Sequence, residues 1–249
     1  SHPIDFTTGD FTCSAWIKPI AQNSHNVIFA LRDNTDTELY YFIRSSGSSN
    51  ANKFESYNGT NAVLSTSTAT FGVWSHIALV QNGTNKEFYI NGALDNTVAQ
   101  SNGASATSAN FIIGSGTESG NGSFNGSISN CSVWNTALTS SQVKEIYNEG
   151  LPGNLNSHSA YSNLVSWWQL GENSSYVGGW IFADEIASNN GTSGNLPETA
   201  LVNGVGTTAN GTSTGMAVGA LVGDAPYSTA NAISSGMSVV SRVSGVSDA

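Results

Sequence analysis

The sequence predicts an all-β protein built as an antiparallel β-sandwich, and three observations carry this prediction. Short runs of alternating apolar and polar residues fill residues 10–134, and clusters of Gly, Asn, Ser and Thr separate them. Asn-Gly pairs, which suit tight hairpin turns, recur between the runs. Hydrophobic residues make up 39% of the 249 residues and charged residues only 10%, so the chain can bury a sizeable core.

The clearest strands lie between residues 76 and 100. His76–Val80 leads into one Asn-Gly pair, Glu87–Ile90 leads into a second, and a third apolar run begins at Ala93. Asn and Gly both tolerate the positive φ that a two-residue hairpin turn requires. This segment therefore predicts a three-stranded meander.

A single short helix is predicted after the last of these strands. Thr139 and Gln142 have the spacing of a capping box, and Val143 and Ile146 begin an apolar stripe at helical spacing. Gly150 then ends the helix. We expect the stripe to pack on the sandwich.

The remaining chain divides by composition. Residues 1–150 are predicted to form the sandwich, and 151–200 a small β-containing unit in which Trp167 and Trp168 dock on a neighbouring surface. Residues 201–249 are rich in Gly, Ser and Thr and poor in aromatic side chains, so they cannot bury much of their own surface. We expect them to form an extended tail that docks on a partner.

Charge and cysteine content narrow the range of functions. Seven basic residues against seventeen acidic ones give a net charge of -10, which argues against nucleic acid or an anionic membrane as partner. No apolar run has the length of about 18–20 residues that a membrane span needs. Cys13 and Cys131 lie in strand patterns; two buried thiols are favoured, although one disulfide is left open.

Four segments together resemble one known family. Their order and spacing are similar to the laminin G/pentraxin-like branch of the concanavalin A-like superfamily, which implies a jelly-roll sandwich. The family's usual opening strand, which ends in a Phe-Asp-Gly type turn, has no match before Ile4. The four segments are Phe11–Pro19, Trp74–Val80, Phe88–Gly92 and Gly126–Gly150.

A second resemblance concerns residues 162–192, which include paired tryptophans, Asp184 and an Asn-Asn-Gly-Thr run. They resemble the segment that follows such lectin-like domains in virion proteins of marine tailed phages. The resemblance implies a non-catalytic structural protein on the virion surface, in the head, tail or fibre. Its partners would be other virion proteins or further copies of itself, together with host glycans. The alternative is a secreted or cell-surface bacterial adhesin domain.

Catalysis is disfavoured by the residue patterns. A glycosidase needs two carboxylates flanking the scissile bond, and the close pair Asp184 and Glu185 would point to opposite faces of a strand. No Gly-x-Ser-x-Gly nucleophile elbow occurs, and His76 is expected to be a packed residue. A glycan-cleaving enzyme is kept as a further alternative.

Two candidate sites follow from side-chain chemistry. Calcium needs six to eight oxygen ligands, and the candidates are Asp10, Glu118, Asn121 and Asn125, for which an ordinary Gly/Asn turn is the competing interpretation. Glycan recognition combines aromatic rings with planar polar groups. The predicted patch, for which core packing is the competing interpretation, comprises Tyr40, Tyr41, Arg44, Glu55, Tyr57 and Asn58.

Overall fold

The computed structural model describes residues 6, 9–20, 26–33, 38–44, 52–102, 109–116, 123–171, 173–193, 196–203 and 216–220. Backbone alone is described for 32–33, 38–44, 109, 202–203 and 216–220. These residues form antiparallel sheets with one short α-helix, which confirms the predicted fold class.

Strands make up most of the regular structure in these ranges. In chain order they are β1 (Phe11–Pro19), β2 (Asn26–Asp33), β3 (Glu38–Arg44), β4 (Lys53–Tyr57), β5 (Ala62–Thr68), β6 (Ser75–Asn82), β7 (Asn85–Ile90), β8 (Ala93–Ala99), β9 (Ala109–Ile113), β10 (Gly126–Trp134), β11 (Leu164–Trp168), β12 (Ser175–Tyr176), β13 (Trp180–Phe182), β14 (Gly191–Thr192), β15 (Leu201–Asn203) and β16 (Met216–Ala220). The helix α1 spans Ser140–Tyr147, and 3₁₀ turns span Asn148–Gly150, Leu155–Ser157, Tyr161–Asn163 and Glu198–Ala200.

Two antiparallel sheets form the sandwich. The first has the order β15-β16-β10-β1-β6-β7-β8, and β11 also pairs with β10; the second has the order β5-β4-β3-β2-β9. Strands β12, β13 and β14 make a separate three-stranded sheet. The predicted meander is present as β6, β7 and β8.

Turn chemistry fixes the meander. Asn91 and Gly92 both have positive φ between β7 and β8, as the Asn-Gly prediction requires. The other turn is displaced by one residue from the prediction. Asn82 pairs with Asn85, so the loop is Gly83-Thr84 and only its glycine adopts positive φ.

The main core lies between the two sheets. Phe11, Ile17, Phe54, Leu79 and Phe88 are among its fully or almost fully buried members. Cys13 and Cys131 belong to the same core as buried free thiols, as the favoured prediction held.

Helix α1 covers the outer face of the first sheet. Thr139 and Gln142 form the predicted capping box, and Val143 and Ile146 are buried, so this prediction is confirmed. They pack with Trp134 and other side chains on the outward face of β6, β7 and β10. Because both its faces are covered, β1 is buried almost throughout, in contrast to a sheet with one solvated face.

The chain beyond residue 150 contributes to the sandwich itself. Strand β11 pairs with Cys131–Trp134 of β10, and β16 pairs with Gly126–Ile128 of the same strand. Trp168, Trp180 and Phe182 enter the main core between the sheets. The division at residues 150 and 200 stays a prediction, but strands on both sides of residue 150 share one sheet.

A bulge in β10 separates these two pairings. Asn130 adopts a left-handed conformation where the register between β1 and β10 shifts, and its N–H donates to Gln169 O at 3.2 Å. Strand β10 thereby changes course between its contacts with β16 and β11.

Candidate functional site

The predicted glycan patch lies on β3 and β4, and the register divides it between two faces. Glu55 and Tyr57 are half-buried, whereas their neighbours Phe54 and Ser56 are buried. Cross-strand partners share a face, so position 41, opposite Tyr57, lies on the outer face.

The other two β3 positions do not join this outer face. Position 40 alternates with 41, and position 44 pairs with buried Phe54. The backbone register therefore places positions 41, 55 and 57 on one face of the sheet and positions 40 and 44 on the other. The side chains of Tyr40, Tyr41 and Arg44 lie outside the described residues, and glycan contact by any of the six stays a prediction.

Asn58, the sixth predicted glycan residue, holds a turn together. Its Oδ1 accepts from the N–H groups of Thr60 at 3.1 Å and Asn61 at 3.0 Å, and its Nδ2 donates to Ser101 O at 3.1 Å. The residue is 7% exposed. Its amide therefore shapes the loop that follows β4.

A buried polar network continues from this turn along one end of the sandwich. The Gln100 side chain accepts from Ser56 Oγ at 3.0 Å and donates to Asn61 O at 2.7 Å. Gln81 Nε2 donates to the carbonyls of Gly83 at 2.7 Å and Gln100 at 3.2 Å. These contacts tie the two sheets together across the core.

We call this end of the sandwich the polar rim and define it as residues 57–61, 82–85 and 100–102. Most of it is exposed, and it is rich in asparagine and threonine. The sequence alone does not indicate the roles of Gln81 and Gln100, because their partners are distant in sequence and each alone resembles an ordinary strand residue.

The predicted calcium ligands do not form one site. Asp10 accepts from Gly83 N at 2.7 Å beside the start of β1, whereas Asn125 O accepts from Ile20 N at 2.9 Å beyond its end. A nine-residue strand spans roughly 25–30 Å, and calcium ligands lie within about 2.6 Å of the ion. One ion bound by both Asp10 and Asn125 is therefore excluded. Glu118 and Asn121 lie outside the described residues.

Asp184 occupies a different environment from the one predicted. It follows the end of β13, so the expected strand geometry with Glu185 is wrong. Asp184 is 8% exposed, and its Oδ1 accepts from the N–H groups of Trp167 at 3.0 Å and Ile186 at 3.1 Å. The second oxygen, Oδ2, is buried without a hydrogen-bond partner in the described part of the chain.

A family model that matches more than half of the chain identifies its superfamily. The model for the concanavalin A-like lectin/glucanases superfamily matches residues 1–144. The chain belongs to this superfamily. A comparison with curated proteins gives no match.

Solved structures of other proteins resemble this one. A proposed carbohydrate-binding protein of Bacteroides ovatus superposes with a TM-score of 0.60 at 20% identity, covering 75% of this chain and 52% of that one. This chain thus matches about half of the length of that protein. A heptameric SAP-like pentraxin of Limulus polyphemus has a TM-score of 0.49 at 19% identity, with coverages of 75% and 83%. At 20% identity, the likeness to the Bacteroides ovatus protein shows the fold alone.

Burial shifts the pKa of several ionisable groups of this superfamily member, among them Lys86, Cys13 and His76. Desolvation lowers the pKa of Lys86 to about 7, opposed by the nearby Cys13, and raises the pKa of Cys13 well above its usual range. Desolvation also lowers the pKa of His76 to about 3. His76 lies 5.5 Å from the Trp16 ring and 6.2 Å from the Tyr147 ring, measured between centroids. These groups pack within the molecule, as predicted for His76.

Two kinds of feature are absent from the described residues. No group of three or more His, Cys, Asp and Glu side chains there could hold a metal ion. The helices within the same ranges lack the length and apolar character that a membrane span would require.

Proposed function

We propose that this superfamily member is a glycan-binding recognition module without catalytic activity. The observation that carries the proposal is the half-buried Tyr57 and Glu55 pair on the outer face of β4, beside the exposed Asn61 of the polar rim. An aromatic ring can cover the apolar face of a sugar, while carboxylate and amide groups bind its hydroxyls. The superfamily's lectin members and the name of the Bacteroides ovatus protein support the same class of ligand.

Asp184 and Glu185 are the closest pair of acidic residues that could serve as catalytic carboxylates, and both already accept hydrogen bonds within the protein, which supports the absence of catalysis. Asp184 Oδ1 is held by two backbone N–H groups, and the Glu185 carboxylate accepts from Asn173 Nδ2 at 3.0 Å. Neither carboxylate is on the outer face of β4.

Glycan-array binding by the whole chain is the direct test. The expected result is selective binding to a limited group of glycans, with no release of reducing sugar from laminarin or from the bound glycans. An array without binding above background contradicts glycan recognition. Hydrolysis that the Glu185→Gln substitution abolishes contradicts the absence of catalysis.

For the location, we propose the surface of a phage particle, where the chain is one component of a larger assembly. The resemblance of residues 162–192 and the low density of charge support this setting. The partners would be other virion proteins or further copies of the chain. Cryo-electron microscopy of particles carrying this chain is expected to show it at a regular, symmetry-related surface position. A secretion signal directly upstream in the gene, with no particle association, would favour the adhesin alternative.

A further inference from the structure

The strongest unexplained group in the molecule is the buried carboxylate of Asp184. One oxygen has two backbone donors, and the other has no hydrogen-bond partner among the described residues. We infer that Asp184 Oδ2 is a ligand of a bound divalent cation, with Ca²⁺ the ion that its surroundings fit. This inference goes beyond glycan recognition and does not depend on it.

Backbone hydrogen bonds fix the direction of this carboxylate. Trp167 N–H donates to Asp184 Oδ1 at 3.0 Å, and Glu185 N–H donates to Trp167 O at 2.8 Å. Asp184 N–H donates to Asn190 Oδ1 at 3.1 Å. Because the N–H groups of Trp167 and Ile186 both bind Oδ1, the second oxygen, Oδ2, is left without a donor among the described residues.

The charge balance around Asp184 also favours a cation. An unpaired buried carboxylate is costly, and proteins pair such groups or bind metal ions with them. The sequence contains neither lysine nor arginine between Lys144 and Arg242. The segment that surrounds Asp184 therefore cannot supply a permanent positive charge of its own.

Oxygen-bearing side chains lie in the same segment. Glu185 is adjacent to Asp184 in sequence, and its carboxylate accepts from the Nδ2 of Asn173, the neighbour of Ser174 in the chain. Ser174 Oγ is also buried without a hydrogen-bond partner in the described ranges. Carboxylate and hydroxyl oxygens are hard ligands, and the flexible coordination of Ca²⁺ accepts a mixed set of this kind.

A bound ion would fasten the chain after β13 to β11. Asp184 is hydrogen-bonded to the backbone of Trp167, which lies in the strand that pairs with β10. With few carboxylates the affinity should resemble that of extracellular modules, with a Kd on the order of 10⁻⁴–10⁻³ M.

The test uses terbium luminescence on the whole chain. Trp167, whose backbone N–H lies 3.0 Å from Asp184 Oδ1, is close enough to sensitise Tb³⁺, so excitation of tryptophan should give a saturable signal that Ca²⁺ displaces. Asp184→Asn should weaken Tb³⁺ binding at least tenfold. Asp95→Asn is the matched control, because Asp95 also accepts from two backbone N–H groups, those of Thr66 and Ser67, but is only half-buried.

A second measurement covers the case in which Asp184→Asn does not fold. For the unmodified chain, 10 mM CaCl₂ should raise Tm by roughly 3–10 °C relative to NaCl of equal ionic strength. Absence of a saturable, calcium-displaced signal, or its loss in Asp95→Asn rather than Asp184→Asn, would overturn the inference. An unchanged Tm in calcium would overturn it independently. Glycan binding can succeed or fail separately from all of these results.

Discussion

Lys86 lies in the main core with its ammonium 5.1 Å from the centroid of the Phe11 ring, and burial lowers its pKa to about 7. An unfolded lysine titrates near 10.5, so between these pH values the unfolded chain binds a proton that the folded chain lacks. The free energy of unfolding should therefore rise from pH 7 to about 10. Below pH 7 Lys86 is charged in both the folded and the unfolded chain, so the folded state bears the full cost of burying that charge.

Lys86→Met tests this cost at the residue scale. Methionine keeps the length of the side chain and removes its charge, so we expect a gain in stability on the order of 1–3 kcal/mol at pH 7 and a flatter pH dependence. Urea unfolding at pH 6.5, 8 and 9.5 measures both effects. Lys144→Met, at an exposed position of α1, is the control and should change little. Equal slopes with pH in the parent chain and Lys86→Met would contradict the assigned pKa.

Strand β11 shows how residues 151–200 and the preceding part of the chain depend on each other. Trp168 is 6% exposed, stacks on Phe111 with ring centroids 5.9 Å apart, and donates from Nε1 to Asn189 O at 2.8 Å. Its side chain thus belongs to the core between the two sheets. A cavity there should weaken the sandwich as a whole.

Trp168→Ala is expected to lower the free energy of unfolding by about 3–5 kcal/mol in one cooperative transition. The control Val177→Ala, at a position 79% exposed in the same segment, should have almost no effect. Circular dichroism and tryptophan fluorescence should report the same midpoint in urea. Two separate transitions, with only one of them moved by Trp168→Ala, would show that residues 151–200 fold independently.

At the scale of the whole molecule, local signals explain which features the sequence could predict. The meander turn at Asn91-Gly92 and the cap at Thr139 depend on residues a few positions apart, and both are present. The pairing of β11 with β10 joins residues thirty or more positions apart and has no such signal. The apolar character of Trp168 predicted that it would dock, but not which surface it would meet.

In the candidate sites too, contacts between residues distant in sequence could not be predicted. The alternation of β4 predicted that half of its side chains would be buried, as Phe54 and Ser56 are. The roles of Asn58, Gln100 and Asp184 depend on partners brought together by folding, so single-sequence patterns assign them only by residue type. Asp10 and Asn125 were grouped as calcium candidates by residue type, and their positions beside opposite ends of β1 appear only in the fold.

Glycan binding at the outer face of β4 underlies the proposed function of the whole molecule, and titration of Tyr57→Ala is its sharpest test. With the strongest ligand from the array, loss of the ring should weaken binding about 2- to 12-fold, the range of one aromatic contact. Tyr161→Ala, which removes a 44% exposed tyrosine far along the chain, should bind as the parent does. Unchanged affinity in a folded Tyr57→Ala protein, or an equal loss in Tyr161→Ala, would contradict glycan binding at this face.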